Sequence, residues 1–113
     1  MAAGKRRHLI EVQERSTETD AFGESLTTWA TLFSTQAGIS PLSGRELFAA
    51  QAINVEITHQ IEVLYRPEWA NPKRAAAYRI LFRGRIFDIK SAINVDERNR
   101  EVQIFTSEGL NNG

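Results

Sequence analysis

The chain has 113 residues, 42% hydrophobic and 25% charged, with 14 basic residues balancing 14 acidic ones and no cysteine. This composition predicts one soluble domain, residues 1–113, and excludes fibrous, disulfide-stapled and wholly disordered classes. A net charge of zero disfavours tight non-specific DNA binding, and we expect neither a signal peptide nor a membrane span, because no apolar run is long enough for either.

Two strands are predicted in the first forty residues. Residues 1–7 are expected to form a flexible basic arm, and the alternation of apolar and polar side chains in residues 8–15 predicts a first strand. A polar loop, residues 16–25, follows, with Gly23 at its tip. Residues 26–40 predict a long second strand, which Pro41 ends. The side chains expected to face the core from this strand are Trp29, Thr31, Phe33, Thr35, Ala37 and Ile39.

A short helix is predicted next, in the segment SGRELFAAQA. Ser43 and Glu46 have the spacing of a capping box, in which each side chain binds the other residue's backbone N–H. The helix has only about two or three turns, fewer than an isolated helix needs to persist in water. We therefore expect it to dock on the sheet through Leu47, Phe48 and the neighbouring alanines.

The rest of the chain predicts four more strands. Residues 55–66 alternate strictly, residues 66–76 form a loop with two prolines, and a hairpin turns at Gly84. The charged turn NVDERNRE precedes a last strand, residues 101–107, and residues 108–113 form a flexible tail. The side chains expected to face the core from these strands are Val55, Ile57, His59, Ile61, Val63, Tyr65, Tyr78, Ile80, Phe82, Phe87, Ile89, Ile93, Val102, Ile104 and Thr106.

The order of these elements predicts the fold class. Six short strands with one helix after the second indicate a mainly β protein, a small antiparallel barrel or sandwich. A closed sheet is favoured because closure removes strand edges that would otherwise aggregate.

No part of the sequence has the residues of a catalytic, cofactor or metal site. His59 falls on an apolar strand face, where a packed histidine is the more common case, and His8 follows Arg7 of the arm. Two histidines without any cysteine are too few of the usual ligands for a zinc site. Ser43 lacks the G-x-S-x-G surroundings of a nucleophile. The acidic residues of the turns are expected to be solvated, namely Asp20, Glu24, Asp96 and Glu97.

The middle of the chain is locally basic. A glycine between two arginines in a hairpin turn is not a phosphate-binding loop. The local positive charge therefore predicts either weak, non-specific contact with DNA or ion pairs between neighbouring copies. Trp69, between two prolines, is either an exposed interface aromatic or a lid folded over the barrel, and the sequence favours neither. The basic residues are Lys73, Arg74, Arg79, Arg83 and Arg85.

Four segments in this order resemble the phage head-tail joining family, also described as head-tail adaptor or head-closure proteins. They are AGKRRHLIEVQE, the stretch from DAFGES to VLYRP, YRILFRGRIFDI and NVDERNREVQIF, and together they cover nearly the whole chain. The more specific features are the Asp20, Gly23 and Glu24 loop with Trp29 five residues on, the SGRELFAAQ helix and the DERNRE turn. The loop PEWANPKRAAA is longer than in the usual pattern.

The resemblance implies a small β-barrel that forms a homo-oligomeric ring of about twelve copies in the neck of a tailed phage. Its neighbours would be a portal-bound head adaptor and a tail terminator or tail protein, with genome DNA passing through the channel without specific binding. The protein would help to close the head channel, have no enzymatic activity, be made in the host cytoplasm and stay monomeric in isolation. Residues 16–25 or 67–76 would face the channel.

The residues expected at interfaces or the channel are Asp20, Glu24, Ser43, Arg45, Glu46, Phe48, Trp69, Lys73, Arg74, Arg83 and Arg85. In a ring, the helix would give each barrel a lateral surface that a symmetric barrel lacks. Two alternatives remain open from the sequence. One is a single-stranded nucleic-acid-binding barrel, which needs aromatic side chains exposed beside basic ones. The other is a tail-terminator-type completion protein.

Overall fold

The computed structural model describes residues 8–19, 21–53 and 56–109, in which six antiparallel strands close into a barrel in the order β1–β2–β3–β6–β5–β4. One helix, α1, follows β2, and a single-turn helix, α2, precedes β4. This confirms the predicted mainly β fold. No helix in the described ranges is long and apolar enough to span a membrane. The elements are β1 His8–Thr19, β2 Ser25–Pro41, α1 Gly44–Ile53, β3 His59–Leu64, α2 Pro72–Ala75, β4 Tyr78–Phe82, β5 Arg85–Asn94 and β6 Glu101–Gly109.

The barrel interior is filled by alternate apolar side chains from all six strands. Alternation places every second side chain on the inner surface, and burying each large one stabilises the fold by roughly 1.5–3 kcal/mol. The largest apolar side chains that are fully buried are Ile10, Val12, Ile61, Val63, Tyr78, Ile80, Phe87, Val102 and Ile104.

Two β-bulges change which side chains face the core. The β5–β6 register shifts between Ile89 and Ser91, so the alternation slips by one residue. Ile93, predicted to be inward, is therefore 47% exposed, and Ala92 packs on the core instead. The β1–β2 register shifts between Val12 and Gln13 in the same way. Thr31 is exposed as a result, while Leu32 packs against the core.

Three strand boundaries differ from the prediction. β1 continues to Thr19 and β2 begins at Ser25, so residues 16–19 and 25 of the predicted loop 16–25 are paired in the two strands. β3 begins at His59, not at residue 55, and Ile57 before it packs in the cluster with Leu47 and Ala50 of α1. β6 continues to Gly109, two residues into the predicted tail. Residues 1–7, Asp20, Val55 and the last four residues lie outside the described part of the chain.

Helix α1 docks through one side only. The Ser43 carbonyl accepts from the Leu47 N–H at 3.4 Å, the first backbone hydrogen bond at the start of the helix. Leu47 and Ala50, three residues apart, share a face and pack in a small cluster with Leu42, Ile57 and Phe105. Phe48 lies on another face and is 79% exposed, so the prediction that it docks on the sheet is wrong.

We expect Leu47→Ala to lower the free energy of unfolding by about 1–2 kcal/mol, because Leu47 is half-buried in the cluster under α1. Phe48→Ala should change it by less than about 0.5 kcal/mol, since the ring already lies in solvent. Urea unfolding of the two variants measures the difference. Equal losses for both would mean that α1 packs through a different face from the one described.

Candidate functional site

The strand registers give the barrel two chemically different ends. At the first end, named the helix end, Pro41 pairs with His59 and His59 with Thr106, next to α1 and the β4–β5 turn. At the opposite end, named the ribbon end, β1 and β2 leave the barrel beside α2 and the β5–β6 turn. A subunit that joins two unlike neighbours needs two unlike surfaces of this kind.

The ribbon end is dominated by a projecting two-stranded hairpin, named the ribbon, residues 15–30. β1 pairs with β4 only over Glu11–Glu14, and beyond Glu14 it pairs with β2 alone. The Ser16 and Thr28 hydroxyls bond across the ribbon at 2.9 Å. The structure measures 50 × 28 × 25 Å, in agreement with a projection from a small barrel.

The ribbon tip is exposed where the structure describes it. Phe22 is 91% exposed, and Glu24, one of the predicted interface residues, is also exposed. Asp20 lies outside the described residues. At the base of the ribbon, the Arg79 guanidinium lies 4.1 Å from the centre of the Trp29 ring, and Arg79 Nε donates to Gln13 Oε1 at 2.7 Å. Trp29 is therefore half-buried under an arginine and is not part of the interior core.

A lid made of the 3₁₀ turn Pro67–Trp69 and α2 closes the ribbon end. Asn71 caps α2 by accepting from the Lys73 and Arg74 N–H groups. Trp69 is 4% exposed and meets Phe33 and Tyr78 edge to face, with ring centres 5.8 and 5.6 Å apart. Of the two alternatives for Trp69, the structure shows the lid. The predicted loop 67–76 therefore forms the lid, packed on the barrel through Trp69.

An ion pair ties the lid to the base of the ribbon. Arg74 binds Glu14 through both guanidinium nitrogens, at 2.7 and 3.0 Å. Their hydrogen bond lowers the pKa of Glu14 below its ordinary value. Lys73, the neighbouring cation, is exposed. The Arg74 charge is therefore paired within the chain, and because the pair is exposed to solvent it contributes little to stability.

The helix end carries a hydrogen-bonded network that joins β3, β5 and β6. Arg85 binds Glu108 through two nitrogens, at 2.8 and 2.9 Å, and Glu108 Oε1 lies 4.0 Å from His59 Nε2. Thr58 Oγ1 lies 2.8 Å from His59 Nδ1 and accepts from the Glu108 N–H at 3.1 Å. His59 also packs edge to face on Phe87, 5.2 Å between ring centres. His59 is therefore a packed, partly buried histidine with Nδ1 hydrogen-bonded, as its position on an apolar face predicted.

The network predicts a loss of stability in weak acid. Burial lowers the pKa of His59 below its ordinary value near 6.5, an effect that the nearby Glu108 carboxylate opposes and the Arg85 charge reinforces. The unfolded chain then binds the proton more readily, so stability is complete above about pH 6.5 and falls as the pH drops toward the folded pKa. Melting temperatures at about pH 7.5 and pH 5.5 measure this decline.

His59→Gln should flatten that decline and serves as the control. The pKa of the Glu108 carboxyl is lowered because it accepts hydrogen bonds from Arg85. The stability that Glu108 contributes is therefore lost only below about pH 4.5, outside the range from about pH 7.5 to 5.5 in which His59 is tested. An equal decline in the wild type and the His59 variant would assign the effect to another group.

The remaining predicted interface residues lie exposed at the helix end. Arg83, with φ of 51°, and Gly84, with φ of 79°, form the tight turn between β4 and β5. The predicted interface residues of and before α1 that are exposed are Ser43, Arg45, Glu46 and Phe48. The structure thus brings Arg83 and Arg85 to the end that carries α1, and Lys73, Arg74 and Glu24 to the other.

In the described strands, the aromatic side chains on which a single-stranded nucleic-acid binder would stack bases are covered. Such a barrel stacks bases on exposed aromatic rings beside cations. Phe33 and Phe87 are buried, and Trp29 lies beneath Arg79. Among the described residues, no group of three or more histidine or acidic side chains is placed to hold a metal ion.

The family of phage head completion proteins matches residues 1–109 of the sequence. The chain belongs to this family. Membership makes it a structural, phage head-associated component of the virion, not an enzyme. It also confirms the family resemblance drawn from the loop, helix and turn motifs.

Two solved structures share the fold. Protein SF1141 from Shigella flexneri 2a, solved in solution, has a TM-score of 0.76 and 26% identity over 97% of this chain and 98% of that chain. A chain in the virion of a native gene transfer agent particle has a TM-score of 0.59 and 19% identity over 93% of this chain and 96% of that chain. No curated protein matches the sequence.

Two features of this family member were absent from the sequence-based prediction. The Arg85, Glu108 and His59 network was missed because Glu108 was assigned to the tail. The ribbon was missed because its Ser- and Thr-rich segments are polar on both faces, and the alternation that identifies a half-buried strand is therefore weak there. The signal available was the β-branched content on both sides of Gly23.

Proposed function

We propose that this head completion protein forms a ring in the neck of a tailed phage, where it joins the DNA-filled head to the tail and helps to close the head channel. The observation that carries the proposal is the family match over residues 1–109. The ring would sit between a portal-bound head adaptor and a tail terminator or tail protein.

The two unlike ends of the barrel support this position. The helix end presents the β4–β5 turn and the exposed face of α1 with Phe48, and the ribbon end presents the hairpin tip and the lid. A ring of such subunits has an upper and a lower surface of different chemistry, as a joint between head and tail requires. Small pairwise contacts, below the roughly 1,200 Å² of a stable interface, would keep the isolated subunit monomeric until it meets a partner ring.

The experiment is reconstitution with DNA-filled, tailless heads of the phage that encodes the chain. Adding the purified protein should place a ring of density at the portal vertex and retain the genome. Electron microscopy and a nuclease-protection assay measure the two effects. A bare vertex with leaking heads, together with uptake by tail tubes, would overturn the head-closure role in favour of tail completion.

The charge distribution predicts feeble binding to free DNA. Arg74 and Arg85 are each engaged by a carboxylate, and the net charge is zero, so few phosphates can be neutralised. Fluorescence anisotropy with a short duplex at physiological salt should show no saturable binding below about 10 μM. The double variant Glu14→Gln with Glu108→Gln, which frees both arginines, is the matched control and should bind more tightly. Sub-micromolar binding by the wild type would contradict the passage of DNA without specific contacts.

A further inference from the structure

The ribbon has two free strand edges. β1 has no partner other than β2 over residues 15–19, and β2 pairs with β3 only over Ala37–Pro41, so residues 25–36 lack a partner on that side. In the rest of the barrel, β3 pairs with β2 and β6, β4 pairs with β1 and β5, and α2 packs on β5. Backbone N–H and C=O groups along the two ribbon edges are therefore available to another strand.

The part of the longer edge that lies in the ribbon, residues 25–30, lacks the usual protection against pairing. Natural edge strands carry lysine, proline or inward charges, or are bulged, to block pairing with other chains. Residues 25–36, SLTTWATLFSTQ, contain no charged residue and no proline. The β1–β2 bulge lies where the ribbon joins the barrel and leaves residues 15–30 regular. A two-stranded hairpin outside a larger sheet is only marginally stable in water, so this one gains from a third strand.

We propose that the ribbon pairs with the ribbon of a neighbouring copy of this chain, the β2 edge of one copy adding to the β1 edge of the next. The proposal rests on the ring proposed above. β1 and β2 are antiparallel, so side-by-side ribbons pointing the same way juxtapose antiparallel edges. The five residues from 15 to 19 provide an edge of about 17 Å.

The geometry favours a second copy over another protein. The two edges differ and lie on opposite sides of the ribbon, so each contact joins unlike surfaces. Contacts of this type generate a ring when the rotation from one copy to the next divides a full turn evenly. A closed ring of ribbons is itself a β-barrel in which no ribbon edge remains free. No other protein is needed to complete the pairing, because the β2 edge of each copy provides the strand partner that the β1 edge of its neighbour lacks.

The test is disulfide mapping in the reconstituted particles. The chain contains no cysteine, so every disulfide reports an introduced pair. Ser16 and Thr28 face each other at one height of the ribbon and are both exposed. Equal amounts of Ser16→Cys and Thr28→Cys proteins, one carrying a size tag, are added to the tailless heads and oxidised. Ala30→Cys, tested with Ser16→Cys, covers a stagger of two residues, and Ala49→Cys, exposed on α1 at the helix end, is a control away from the ribbon.

We expect the mixed disulfide to exceed either homodimer at least tenfold, with no disulfide to the Ala49 variant. Homodimers of the Thr28 variant in excess would indicate symmetric β2–β2 pairing and overturn the proposal. A ring of density without ribbon disulfides would also overturn it, while leaving the ring intact. A bare vertex would overturn both this inference and the proposed function, so the two failures are distinguishable.

Discussion

Replacing Trp69 by alanine should lower the free energy of unfolding by about 3–5 kcal/mol. Trp69 is 4% exposed, and its ring fills the space between Phe33 and Tyr78 at the ribbon end. The short turn that carries it cannot collapse into the resulting cavity, because the Tyr78 hydroxyl holds the Glu68 carbonyl at 2.9 Å. Urea unfolding followed by circular dichroism measures the loss.

Trp69→Phe is the matched control for that substitution. The indole Nε1 is buried and has no hydrogen-bond partner among the described residues, and an unsatisfied buried donor costs about 1–3 kcal/mol. Phenylalanine keeps an aromatic ring against Phe33 and Tyr78 but removes the unsatisfied N–H. The stability gained by removing this donor offsets the packing lost because the ring is smaller. We expect a change within about 1 kcal/mol. A loss as large as that of the alanine variant would show that the indole N–H has a partner.

Phe87→Ala is expected to cost about 3–5 kcal/mol of unfolding free energy, the other large effect. Phe87 is fully buried in β5 and packs on His59, whose network joins β3 to β6. Its removal leaves a cavity in the barrel interior and weakens the support of that network. Thermal and urea unfolding both report the change.

Ile93→Ala, on the same strand, is the control for Phe87. Simple alternation predicts that both side chains face inward, but the bulge between Ile89 and Ser91 leaves Ile93 47% exposed. Its truncation should cost less than about 1 kcal/mol. A loss comparable to that of the Phe87 variant would mean that the β5 register runs without the bulge.

The sequence by itself determined the class of fold and most of the core. Residues such as Ile61 and Val63, or Val102 and Ile104, alternate with polar neighbours, and that period of two follows directly from strand geometry. The turn at Gly84 and the helix start at Ser43 were also predictable, because each depends on a few adjacent residues. Family motifs spread along the chain then indicated a phage head-tail joining protein before any contact was known.

Only the tertiary structure decided which elements meet. Glu14 and Arg74 are 60 residues apart and Trp69 is covered by side chains from two strands, so no local pattern reports either contact. The same holds for Phe48, whose exposure depends on which face of α1 the cluster around Leu42 accepts. Bulges and unpaired edges are properties of a strand together with its neighbours. Local periodicity identifies the strands, but register, closure and free edges depend on pairing between distant segments.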